Sequence, residues 1–212
     1  MKKQAKATKV PAVLFCRTTR HLVLTLCAGI LLTSSARADV VIEKQNETNY
    51  YARVIGTISQ SDYETLIKKV AAIQGDRSSP TIDYVLNSAG GSMDAALNIG
   101  RFLRKKKALA LVEEGNICMS ACVLVLAGAA HRKISGIVGL QRPDELADTK
   151  LATEGQTAKH NKLGSAARAY LTEMNVQAKL YDDMLLLPAE KVRVLSEESL
   201  ARYGLVQDSI SK

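Results

Sequence analysis

The chain has 212 residues, 47% of them apolar and 24% charged, which suits one domain with a helical extension. Its formal net charge of +8 is misleading, because seven of the 29 basic residues lie in the first 38 positions and no acidic residue does. Without that segment 22 basic residues face 21 acidic ones, and the compositional case for nucleic-acid binding disappears.

Those first 38 residues read as a secretory leader. Lys2, Lys3, Lys6, Lys9, Arg17 and Arg20 form a basic stretch, Leu22 to Leu32 an apolar run, and Ala36-Arg37-Ala38 a small-residue cleavage site. Cutting is expected between Ala38 and Asp39, which places the mature chain in a periplasm or outside the cell. The basic stretch is long, so a retained membrane anchor is the rival reading, although the apolar run is short for a span. Leu26 before Cys27 speaks against lipid attachment. Cleavage would remove Cys16 and Cys27 and leave Cys118 and Cys122 alone in an oxidising compartment, where a disulfide between them is expected. A zinc site is the other use of such a pair, but no second pair of Cys or His at metal spacing accompanies it.

Asp39 to Asn49 is polar and reads as an irregular start. Tyr51 to Ile58 is rich in β-branched residues and reads as a strand. Ser61 with Glu64 has capping-box spacing for a helix that runs to Gln74 and stops at Gly75. Ser78-Ser79-Pro80 is a loop, and Thr81 to Leu86 the next strand. Ala95, Leu97, Ile99, Phe102 and Leu103 outline a second helix, ending in four basic residues that complement its dipole. Ala108 to Val112 is a short strand of the buried parallel type.

Ser120 to Leu126 is an almost wholly apolar helix that must be buried on all sides. Ile134 to Leu140 returns as a strand broken at Gly136. Asp144 to Gly164 is polar, and Ala166 to Leu187 reads as one long helix whose apolar surface calls for a partner. Asp182 and Asp183 are expected on its surface. Ser196 caps a last helix to Tyr203, stopped by Gly204, and Leu205-Val206 reads as a final strand. Strand and helix alternate through the first two thirds, the pattern of a parallel α/β fold with right-handed crossovers.

Two segments read together as an acyl-transfer site. In Leu86-Asn87-Ser88-Ala89-Gly90-Gly91-Ser92 a strand enters a Gly-Gly turn, where backbone N–H groups can face a cleft with no Cβ in the way. In Asn116-Ile117-Cys118-Met119-Ser120-Ala121-Cys122 a strand meets a helix, so the Ser120 hydroxyl would lie at the positive end of the helix dipole.

At these residues the chain resembles the proteolytic subunit of Clp protease and its wider superfamily with the crotonases, from Tyr51 to Val206. It is most similar to secreted members with a Cys-x-Ser-Ala-Cys segment. The resemblance implies a spiral of βαβ units, Ser120 as nucleophile, and the N–H groups of Gly91 and Ala121 as oxyanion donors. It also implies a homo-oligomer, a peptide or protein ligand, and no cofactor. The family's base is a His at a strand end shortly before Pro, and that place holds Gln141 in Gly139-Leu140-Gln141-Arg142-Pro143. The family's orienting Asp would fall near Val192. A Ser hydroxyl without a base is a poor nucleophile at neutral pH.

His131, roughly 15 Å away at 1.5 Å per residue along the Ser120 helix, reads as a surface histidine. Lys159, His160 and Lys162 are the remaining basic candidates, and a Lys there would resemble the Ser–Lys dyad of signal peptide peptidases. Two functions stay open. One is a peptide-directed serine hydrolase with lost or altered catalysis. The other is a non-catalytic peptide-binding or assembly module on the same scaffold. A CoA-ester enzyme fits poorly with export.

Overall fold

The computed structural model describes residues 39–75, 80–143 and 154–206. The leader, its cleavage site, Ser78-Ser79 and positions 144–153 of the polar segment lie outside the described residues.

The start expected to be irregular is an ordered hairpin. Strand β1 (Asp39–Lys44) pairs antiparallel with β2 (Asn49–Ile58), Asp39 opposite Ile55 and Lys44 opposite Tyr50. Polar residues here make the turn: the Asn46 Oδ1 accepts from the N–H groups of Thr48 at 3.0 Å and Asn49 at 2.9 Å. Helix α1 (Gln60–Gln74) has Ser59 as its N-cap, two residues before the expected Ser61. The buried Asp62, not Glu64, reaches back to it and accepts the Ser59 N–H at 2.6 Å.

Strand β3 (Thr81–Gly91) runs parallel to β2 and is longer than expected, carrying its ladder through Asn87 to Gly91. Ser92 then caps α2 (Met93–Lys105) by accepting the Ala95 N–H at 3.4 Å. Next come β4 (Leu109–Val112), β5 (Ile117–Met119) and α3 (Ala121–Gly128). The strand expected over 134–140 is two strands, β6 (His131–Ile134) and β7 (Ile137–Gln141), separated at Ser135-Gly136. The long helix is also two, α4 (Glu154–Glu173) and α5 (Lys179–Leu185), with Asn175 in the left-handed region at φ 56° between them. A strand not anticipated, β8 (Val192–Val194), pairs antiparallel with β7, and α6 (Glu197–Tyr203) follows. Ser196 and Gly204 cap α6 as expected. Leu205-Val206 is not a strand; Leu205 folds back after the left-handed Gly204 and donates to Leu200 O at 2.8 Å.

The sheet order is β1-β2-β3-β5-β7-β8, with β4 pairing β3 and β6 alongside. The length of β3 makes this fork possible. Its first half, at Tyr84 and Val85, pairs with β4, and its second half, at Ser88, pairs with β5. The chain therefore alternates between two layers while every new strand in the middle of the fold stays parallel to β3.

Helix α3 is buried along its whole length, as its lack of a polar face requires. It crosses α2 where Gly100 meets Gly128, so closely that a Cβ on either would collide with the other helix or with Tyr170. The Tyr170 hydroxyl, from α4, satisfies its burial by donating to Leu124 O at 2.8 Å. The apolar residues of α4, α5 and the link between them that seemed to need a partner subunit, including Ala167, Leu171, Met174, Leu180 and Met184, are buried within the chain itself. Asp183 is likewise not on the surface: it is buried and bonded to Lys179 Nζ at 2.7 Å and the Tyr203 hydroxyl at 2.6 Å.

Candidate active site

Ser120 sits between β5 and α3 as the N-cap of the buried helix. Parallel pairing sets its height, since Met119 lies opposite Gly139 and the Ser120 N–H donates to Gly139 O at 3.2 Å. Its backbone has φ 50° and ψ −125°, a conformation that costs a non-glycine residue about 1–3 kcal/mol. Two things hold it there. The Cys118–Cys122 disulfide straddles it with a Cα–Cα separation of 5.2 Å, both cysteines fully buried. The Ser120 carbonyl accepts the Val123 N–H at 3.0 Å, starting the helix. The disulfide also excludes the zinc reading, because oxidised sulfurs offer no thiolate.

Ser120 is 6% exposed, and its Oγ has no hydrogen-bond partner among the described residues. The N–H of Ala121 is in the first turn of α3, so no intrahelical carbonyl can take it. A hydroxyl and an N–H at the positive end of a buried helix suit charge developing on an acyl oxygen.

The glycine turn lies directly against this group. Gly90, at φ 112°, has no side chain where a Cβ would sit 2.8 Å from Ser120 Cβ and 3.1 Å from Ala121 N. Gly91, at φ 136°, pairs with Ile58, whose backbone would block any Cβ there. Gly91 was expected as an oxyanion donor; the residue that opens space beside Ser120 is its neighbour Gly90. Two further residues of the same motif act as clamps. Buried Ser88 donates to Gly56 O at 2.5 Å and accepts the Gly90 N–H at 3.0 Å, which fixes the turn. Asn87 Oδ1 accepts the Ile117 N–H at 3.2 Å, which docks β5 onto β3.

Gln141 ends β7 two residues beyond Gly139. Its amide Nε2 points to Ala189 O at 3.5 Å, and no hydrogen bond joins it to Ser120. Across the β7–β8 ladder its partner is Val192. The other basic candidates are placed apart from Ser120 in their bonding. Lys159 and Lys162 are exposed on α4, and His160 is half-buried beside Arg142 and Arg168. His131 begins β6 and is exposed. Among the described residues no group of three or more His, Cys, Asp or Glu could hold a metal ion.

No protein-family model matches the chain, and no curated protein matches it by sequence. Solved structures do. A mutant of the 1510-N membrane-bound stomatin-specific protease is similar with a TM-score of 0.56 at 18% identity, over 78% of this chain and 80% of that one. A mutant of ClpP1 from Listeria monocytogenes is similar with a TM-score of 0.55 at 19% identity, over 74% of this chain and 88% of that one. The fold is the mixed α/β, mostly parallel fold of ClpP-like proteases.

Proposed function

We propose that this chain is an exported, peptide-directed member of the ClpP-like serine hydrolases, in which Gln141 replaces the base and acyl transfer is weak or lost. The observation that carries the reading is the setting of Ser120. A serine in a strained turn at the start of a buried helix, with Gly90 cleared from its side and its hydroxyl unbonded, is built for attack and not for packing. Gly91 and Ala121 are the oxyanion donors in this reading. Export is supported by the basic and apolar leader and by the Cys118–Cys122 disulfide, which suits an oxidising compartment.

A homo-oligomer belongs to the same reading. The exposed apolar side chains of Ile137, Leu186, Val192 and Val194 support it, three of them on or beside the β7–β8 edge. The second reading is a peptide-docking module without catalysis. Two observations favour it: the amide of Gln141 is turned to Ala189 O, and among the described residues no His or Lys bonds to Ser120 Oγ.

A fluorophosphonate probe decides between them. Labelling of the wild-type chain that is lost in Ser120→Ala supports a hydrolase. Labelling that also vanishes in Lys159→Ala or Lys162→Ala would move the assignment to a Ser–Lys dyad. No labelling of the folded wild type or of Gln141→His leaves the docking module in front.

A further inference from the structure

Immediately after Gln141, the chain places Arg142 at the wall of a cavity of about 450 Å³, formed where α4 and α5 meet the end of β7. His160 and Arg168 from α4, and Tyr181 and Leu185 from α5, line the same space. We propose that this cavity is a carboxylate-binding site that takes the free C-terminus of a peptide, with Arg142 as the anion-binding residue.

The two arginines in the cavity are not equivalent. Arg168 Nε is bonded to Asp182 Oδ1 at 2.7 Å, and its guanidinium lies over the Tyr181 ring at 5.2 Å, so its charge is already answered. Arg142 has no carboxylate partner among the described residues. Its Nη2 donates to Leu185 O at 2.7 Å, a bond that caps the last turn of α5 and explains one edge of the group. Its Nε is buried and has no acceptor among the described residues. A partly buried cation without a counter-charge at the wall of a cavity is costly when left alone.

The Arg142 Nε is closed to solvent, so an anion in the cavity would meet the outer, Nη edge of the guanidinium. A carboxylate does so in plane, through paired N–H···O bonds. A single uncompensated cation suits a monoanion better than a phosphate dianion. The cavity wall beyond Arg142 is not all polar: Tyr181 and Leu185 offer ring and aliphatic surface for the side chain that precedes a terminal carboxylate. Its size accommodates a dipeptide, whereas acetate would leave most of it empty. The choice of a peptide rests on the peptide-directed reading above; the choice of a carboxylate does not.

Saturation-transfer NMR on the full chain tests this with N-acetyl-leucyl-alanine and its C-terminal amide. The acid should receive saturation from the wild-type protein and the amide should not. Arg142→Gln should weaken binding of the acid about tenfold or more, as loss of a charge-assisted pair predicts. Arg142→Lys, which keeps the charge and the bond to Leu185 O within reach, should fall between the two. The wild-type comparison of acid with amide needs no variant, so a misfolded Arg142→Gln does not spoil the test. No transfer to the acid, or equal transfer to the amide, overturns the proposal. Tighter binding of inorganic phosphate than of the acid overturns the carboxylate assignment. Acetate binding as well as the dipeptide does overturns the peptide assignment. Ser120→Ala leaves the cavity unchanged, so binding that persists in that variant while the probe fails to label the wild type separates this site from the hydrolase reading.

Discussion

Gln141 and Val192 face one another across the antiparallel pair β7–β8, the last residue of one strand opposite the first of the other. Side chains directly opposite on such a pair lie about 4.5–5.5 Å apart at Cβ, near enough to interact. Ser120 is tied to the same strand through Gly139 O. Ser120, Gln141 and Val192 are thus brought to one strand end; in the reading proposed above they are the three positions of a triad, of which only the first holds a reactive group.

That relationship makes a restoration experiment specific. Gln141→His should raise the fluorophosphonate reactivity of Ser120 by about 10²-fold, the low end for general-base catalysis, because nothing yet orients the ring. Adding Val192→Asp, at a half-exposed position where a carboxylate is tolerated, should raise it about tenfold further. Ser120→Ala must abolish both gains. The rate of labelling by intact-mass spectrometry is the measurement, and a double variant no faster than wild type would sink the triad geometry.

Gly90→Ala should be more damaging than its size suggests. The new Cβ would sit 2.8 Å from Ser120 Cβ in a residue held at φ 112°. Strain of about 1–3 kcal/mol is expected in urea unfolding, together with loss of any probe labelling. Gly115→Ala, at φ 81° with open space around it, should show the backbone cost alone and leave the site intact.

The disulfide should matter more to Ser120 than to the fold. Closing so short a loop is worth only ~2 kcal/mol by chain entropy. Cys118→Ser with Cys122→Ser should lower stability by about that amount while releasing the strained turn, so probe labelling should fall further than stability does. Alkylation of unreduced protein should find neither thiol free; two modified thiols would remove the pin from the argument.

Asp183 predicts an acid-side loss of stability. Burial alone would raise its pKa, but hydrogen bonds from Lys179 and the Tyr203 hydroxyl, with Lys179 and Arg193 as nearby cations, outweigh it and hold the carboxyl below its ordinary value of 3.8. A depressed folded-state pKa means the stabilisation is complete above the unfolded value and is lost as pH falls through the folded one. The difference in Tm between wild type and Asp183→Asn should therefore be full at pH 6 and shrink below about pH 4. A difference that does not change with pH would show that the carboxylate's charge contributes nothing.

What could be read without coordinates was local. Strand and helix periods announced the α/β alternation, and Ser196 and Gly204 announced the ends of α6. The almost wholly apolar Ser120 to Leu126 could only be a buried helix, and Ser120 stands at its start, as N-cap of Ala121–Gly128. The pairing of Cys118 with Cys122 needed only their isolation and spacing. Each of these depends on residues within a turn or two of one another.

Tertiary structure decided the rest, because it depends on register between distant segments. Nothing local says that β3 divides its ladder between β4 and β5, or that Gly90 and not Gly91 lies against Ser120. Asp183 looked like helix surface until α6 brought Tyr203 over it, and the apolar faces of α4 and α5 looked unpartnered until they closed on this chain's own core. The meeting of Gln141 with Val192, 51 positions apart, follows from how β8 lies on β7. Side-chain period sets which face a residue takes, but only the packed sheet sets which residue stands opposite it.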